Sequence, residues 1–209
     1  MQDTKEALKK KMERYKLIAI VGEAGSGKDS LAEALVDQLG DEGIATHEVV
    51  SYTTRPKRDY EIEGKDYHYV DNGTFAGLIL ENKMLEAAEF NNWVYGTCID
   101  DLELDKINVE VLNPEGIESM STDSRIDLCV VQCLCNEKER LIRQLNRELD
   151  PDIDEIIRRL KADRRDFSDF HPSDYSYWNT IVHTDSGLSV SEEAELVLKY
   201  VLQIGRAHV

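Results

Sequence analysis

One stretch constrains this chain more than any other: Gly22-Glu23-Ala24-Gly25-Ser26-Gly27-Lys28-Asp29. The apolar run 17–21 leads into it, and residues 30–39 read as a helix leaving it. Strand, glycine loop, helix is the context that turns a glycine pattern into a phosphate site. Three glycines let the backbone curl so that successive N–H groups point at one anion, which also rests on the helix N-terminus. Lys28 would reach the β- and γ-phosphates of a nucleotide. Gly22, Glu23, Ala24, Gly25, Ser26, Gly27, Lys28, Asp29 and Ser30 are therefore the expected phosphate-binding residues. The eighth position, normally a Ser or Thr for Mg²⁺, is Asp29, with Ser30 following. The alternative is a glycine-rich strand-to-helix turn in an unrelated α/β protein.

At 209 residues the chain is long enough for one domain with lobes, or at most two, and for a substantial core. Its 25 basic and 42 acidic side chains give a net charge of −17. That balance argues against general nucleic-acid binding, which needs a basic surface. It leaves room for an anionic small substrate if cations are gathered locally. No apolar run approaches a membrane span, and the first fifteen residues are charged rather than signal-like. No membrane partner and a cytoplasmic location are expected. Cys129, Cys133 and Cys135 share strand parity, with Cys98 elsewhere. A thiolate metal site is one reading; small buried hydrophobes in a reducing compartment is the preferred one.

In chain order, residues 1–15 form a lysine-rich helix candidate or a frayed leader, and 17–21 a strand buried on both faces. Residues 45–52 read as a second strand, 53–69 as a polar, aromatic stretch, and 75–81 and 84–90 as a short helix and a strand. Strands are expected at 93–97, 107–112, 125–135 and 180–184. Helices are expected at 114–120, at 137–149 behind an Asn136 cap, at 153–167 and at 190–204, with 205–209 a loose tail. Strands separated by helices imply a three-layer α/β fold with a mostly parallel central sheet.

A second constellation, Ser51-Tyr52-Thr53-Thr54-Arg55-Pro56-Lys57-Arg58, begins where the second strand ends. Ligands of open α/β sheets bind beyond the carboxyl ends of strands, so this stretch should share a crevice with the glycine loop. Two guanidiniums three residues apart can hold a phosphate by forked, charge-assisted bonds. With Glu61, Gly64, Asp66-Tyr67, Leu85-Glu86-Ala87-Ala88 and Tyr95-Gly96-Thr97, the stretch resembles guanylate kinase without a gap from Ser51 to Thr97. The resemblance covers most of the chain. It implies a P-loop nucleoside monophosphate kinase fold as a single domain: core 16–52, 98–140 and 160–204, acceptor-binding lobe 53–97, lid about 141–159.

Residue by residue, the resemblance puts Arg55, Arg58, Tyr67 and Tyr95 on the acceptor phosphate, and Ser51, Glu86 and Thr97 on the base. The chemistry agrees with that assignment. Guanine offers N1–H and an exocyclic amine on one edge, and one carboxylate accepts from both. Ser51 and Thr97 would supply hydroxyl contacts to O6. Adenine presents an acceptor at N1, so a carboxylate there is left unpaired, a mismatch worth roughly 10⁴-fold.

In the family, arginines from the lid close over the transferring phosphoryl. Here Arg143, Arg147, Arg158 and Arg159 are the candidates, with Leu160 favouring Arg159 over its neighbour. Lys28, Arg55, Arg143, Arg147 and Arg159 are thus the expected catalytic set. The family's Arg-Gly-Arg-Gly-like lid is replaced by Arg147-Glu148-Leu149-Asp150-Pro151, and its Asp-x-Gln-Gly block by Asn113-Pro114-Glu115-Gly116. Asp29 is the expected metal ligand, and Mg²⁺ with ATP the expected cofactor. The expected activity is ATP-dependent phosphorylation of GMP or dGMP by a monomer or homodimer. A broader deoxynucleoside monophosphate kinase and a non-catalytic phosphopeptide-binding module are the alternatives.

Overall fold

The computed structural model describes residues 14–207 except 60, 91 and 148. The expected N-terminal helix or leader lies outside these residues as far as position 13. From β1 (Tyr15–Gly22) the chain runs through α1 (Lys28–Asp41), β2 (Thr46–Glu48), β3 (Tyr52–Thr53), β4 (His68–Tyr69) and α2 (Asn72–Leu80). A hairpin follows, β5 (Met84–Phe90) and β6 (Trp93–Cys98), and then a 3₁₀ turn (Ile99–Asp101). The remaining elements are β7 (Ile107–Leu112), α3 (Pro114–Thr122), β8 (Ile126–Leu134), α4 (Glu137–Asn146), α5 (Ile153–Asp166), β9 (Trp178–His183) and α6 (Val190–Ala207).

The apolar run of β1 buries both of its faces. Leu17, Ala19 and Val21 pack with Leu112, Ile117, Met120 and Val130, while Ile18 and Ile20 pack with Leu31, Leu35, Val131 and Val197. A strand without a polar face belongs at the centre of a sheet covered on both sides. β1 indeed pairs in parallel with β7 on one side and β8 on the other, within a sheet ordered β2-β7-β1-β8-β9. β2 and β9 complete it, also in parallel, which makes this the expected three-layer α/β fold. Because the chain leaves β1 for β2 and later returns to fill β7 and β8, the order reverses beside β1. Such a switch point opens a crevice at the carboxyl ends of the strands.

A second sheet, β4-β3-β6-β5, stands apart from the first. The strand expected over 45–52 is in fact divided between the two. The Val49 N–H still bonds to Val109 of the main sheet, but the Val50 N–H turns to the Asp101 carboxylate at 2.6 Å. Tyr52 and Thr53 then pair with β4 and β6. Asp101 also receives His47 of β2 at 3.2 Å and His68 of β4 at 2.9 Å, so one carboxylate joins both sheets.

Helix boundaries differ from expectation for local reasons. α2 starts earlier because Asp71 caps it, accepting from the Thr74 N–H at 2.6 Å. α4 stops at Asn146 rather than 149; Arg147 closes it, its N–H donating to the Gln144 carbonyl three residues back instead of four. The last helix runs on to Ala207, so Gly205 is helical and not the start of a tail; residues 208–209 lie outside the described ones. One glycine costs a helix about 1 kcal/mol, too little to end this one.

Candidate active site

The glycine loop joins the centre of the sheet to the start of α1. Gly27 caps that helix in a left-handed conformation, φ 87°, which side-chain-bearing residues rarely adopt. Gly25 is also left-handed, and a Cβ on it would meet the Arg140 carbonyl oxygen at 2.7 Å. The loop is braced from outside. Ala24 N–H donates to Asp163 of α5 at 2.8 Å, and Arg140 of α4 donates to Glu23 at 2.7 Å and reaches Asp163 at 3.5 Å. Arg143 donates to the Thr184 carbonyl at 2.7 Å and approaches the carbonyls of Gly25 and Ser26 at 3.5 Å. Thr184 in turn donates to the Ser26 carbonyl. Lys28, the first residue of α1, sits 3.3 Å from the exposed Asp29 carboxylate.

A crevice of about 290 Å³ opens between α1, the main sheet and the second sheet, and its lining includes Asp29, Ser51, Tyr67 and Glu110. Asp29, at the start of α1, and Ser51 and Tyr67 of the acceptor stretch therefore face one space. Two clusters lie on the second sheet. In the first, Arg55 forms a two-pronged bond with Glu61, at 3.0 and 2.7 Å. Its guanidinium carbon lies 5.5 Å from the centre of the Tyr67 ring, and Tyr95 packs edge-on to Tyr67 at 5.7 Å. The Arg55 bond holds Glu61 well below the ordinary carboxylate range, at about 2. The same bond raises Arg55. Arg58, largely exposed, bonds Glu61 through its N–H at 2.7 Å.

The second cluster contains the base-reading candidates. Thr97 on β6 is directly opposite Glu86 on β5, and its hydroxyl lies 3.0 Å from Glu86 Oε1. Sequence reasoning gave Thr97 a hydroxyl contact with the base. The structure instead buries Thr97 completely, with its hydroxyl lying between Glu86 and a second carboxylate, Glu110 of β7, 2.5 Å away. Ser51 lines the crevice, its hydroxyl 3.5 Å from the same Glu110 oxygen. Burial raises Glu86 above the ordinary carboxylate value and pushes Glu110, a buried residue at the crevice wall, up to about 8.

The lid candidates are dispersed. Arg143 is packed against the glycine loop, whereas Arg147 is exposed at the end of α4. Arg158 and Arg159 are both half-exposed on α5 and both bond Glu155, at 2.6 and 2.7 Å. Asn113 accepts from the Gly116 N–H at 2.7 Å as the cap of α3. Glu110, Arg140 and Asp163 were missed. Glu110 did leave a signal, an acid inside the apolar run of β7. Arg140 left little, since an arginine in a charged amphipathic helix reads as solvated.

A family model described as guanylate kinase matches residues 14–168. The chain belongs to the guanylate kinase family. The guanylate kinase of Alkalilimnicola ehrlichii is 32% identical over 164 residues, 77% of this chain and 78% of that one. MAGUK p55 subfamily member 4 of Mus musculus is 34% identical over 114 residues; the match takes in 53% of this chain and only 18% of that protein. The structure resembles that of guanylate kinase from Anaplasma phagocytophilum, with a TM-score of 0.55 at 20% identity, covering 93% of this chain and 88% of that one. The guanylate kinase fold thus places β1, the glycine loop and α1 beside a second sheet carrying the Ser51–Thr97 block.

Proposed function

We propose that this chain transfers the γ-phosphoryl group of ATP to GMP or dGMP, giving ADP and the diphosphate. The single observation that carries the reading is the shared crevice, lined by Asp29, where the glycine motif enters α1, and by Ser51 and Tyr67 of the acceptor stretch. An oxygen of the acceptor phosphate forms the new O–P bond as the bond from the γ-phosphorus to the ADP oxygen breaks. That oxygen is already ionised near neutral pH, so no general base is needed. Catalysis is alignment and neutralisation of charge.

Residues 22–30 hold the donor phosphates, with Lys28 as the cation that reaches them. Arg55, fixed in place by Glu61, joins Arg58, Tyr67 and Tyr95 to hold the acceptor phosphate. Glu86 accepts from the guanine N1–H and amine, and Ser51 supplies a hydroxyl contact. Arg143 stiffens the loop from behind, and Arg147 and Arg159 reach the transferring group only if the lid, about residues 141–159, moves toward it. Asp29, an exposed hard-oxygen donor, suits Mg²⁺ bound mainly through nucleotide phosphates. When bound, that ion offsets phosphate charge at the loop. Four free thiols accord with a cytoplasmic setting. No helix among the described residues is long and apolar enough to cross a membrane.

The test is a coupled assay for ADP with GMP, dGMP, AMP, dTMP and dCMP offered separately. Turnover confined to the guanine nucleotides, with selectivity lost in Glu86→Ala, is the expected result. Turnover across several bases would indicate a broad deoxynucleotide kinase. Binding of GMP or a phosphopeptide without turnover would indicate a binding module.

A further inference from the structure

The Thr97 hydroxyl is within hydrogen-bond distance of two carboxyl oxygens, Glu110 Oε1 at 2.5 Å and Glu86 Oε1 at 3.0 Å. A hydroxyl has one hydrogen, so it donates to only one of them. If both carboxyls were ionised, the other contact would set lone pair against lone pair. One of the two acids must therefore carry a proton and donate it to Thr97. Which one carries it decides what Glu86, the acid assigned to the base, can recognise. An ionised Glu86 accepts from guanine; a protonated Glu86 would instead offer a donor to adenine N1.

The surroundings single out Glu110. Its residue is 4% exposed, whereas Glu86 is only partly buried. Its second oxygen, Oε2, is buried without a hydrogen-bond partner among the described residues. An ionised carboxylate with a bare buried oxygen is costly, while a neutral acid leaves much less to solvate. The charged groups acting on it are acidic: Glu86 on β5 and Asp101 in the 3₁₀ turn, the latter engaged by His47 of β2 and His68 of β4. Glu115 of α3 acts on Glu86 in the same sense. Across the crevice stand Asp29 and Glu33 of α1, Glu48 of β2, and Lys65 and Asp66 before β4.

We propose that Glu110 is a positioning residue for base recognition: as a neutral acid it donates to Thr97, which turns the Thr97 hydrogen onto Glu86 and keeps that carboxylate ionised and aimed at guanine. The chain Glu110–Thr97–Glu86 then carries one negative charge, on Glu86, the less buried of the two acids. Ionising Glu110 would draw the Thr97 hydrogen back and release Glu86. This inference rests on the assignment of the crevice to guanine nucleotides. The burial that pushes Glu110 up to about 8 puts the changeover just above neutral pH.

The test is calorimetric binding of GMP and AMP to the full chain between about pH 6 and pH 9, for wild type, Glu110→Gln and Thr97→Val. Glutamine keeps an N–H donor for Thr97 and cannot ionise, and it also controls for titration of the base itself. Wild-type affinity for GMP should fall up to about tenfold for each pH unit above the changeover. Glu110→Gln should hold its neutral-pH affinity across the range. Thr97→Val should bind GMP more weakly at every pH, with no step. Superimposable wild-type and Glu110→Gln profiles would overturn the role of Glu110 while leaving the guanine assignment intact. Wild type that binds GMP no more tightly than AMP at any pH would overturn both.

Discussion

Replacing Glu110 with glutamine changes the ionisation of one buried side chain and almost nothing of its shape, so the cost of holding that proton can be read from stability. The ordinary value of the carboxyl is 4.5, and burial pushes it up to about 8 in the folded chain. Between those values the folded state keeps a proton that the unfolded state releases. Raising the pH therefore favours unfolding. The contribution is fully present below about pH 4.5 and is lost as the pH rises through about 8. At 1.36 kcal/mol per unit, the loss relative to acid conditions is about 3 kcal/mol at pH 7 and about 5 kcal/mol above pH 8. Glu110→Gln has no such titration. Urea unfolding of both proteins across this range should give a stability difference, variant minus wild type, that grows by those amounts from about pH 4.5 upward. Parallel stability curves would refute the reasoning, because they would mean Glu110 is ionised in the folded state. The balance against a total stability of roughly 5–15 kcal/mol makes the effect easy to detect.

Asp163→Ala removes the carboxylate that accepts from the Ala24 N–H and lies beside the buried guanidinium of Arg140, so unfolding stability should fall by about 3 kcal/mol, with Asp163→Asn intermediate. An unchanged urea midpoint for Asp163→Ala would show that Glu23 alone suffices for Arg140. Leu35→Ala empties a fully buried site between α1 and the sheet and should cost 2–5 kcal/mol, on the order seen for buried leucines, without altering which base is bound. A loss of base selectivity in that variant, measured with GMP and AMP, would mean that α1 packing reaches the second sheet.

The sequence by itself determined the central elements of the fold and the candidate site. A run apolar at every position from Leu17 to Val21 has no solvent face, so it had to be an inner parallel strand, and three glycines before Lys28 specify a loop whatever surrounds it. The Ser51–Thr97 block was legible for a different reason: its residues resemble guanylate kinase without a gap along one continuous stretch. What required tertiary structure was every contact between segments remote in sequence. Thr97 is an ordinary strand threonine until Glu110, thirteen residues on and in another sheet, is brought to its hydroxyl. Arg140 and Asp163 become braces of the glycine loop only because α4 and α5 fold back against residues more than a hundred positions earlier. Charge state follows the same division. Composition counts Glu110 as one of 42 acids, but whether it is charged depends on how completely other segments remove it from water.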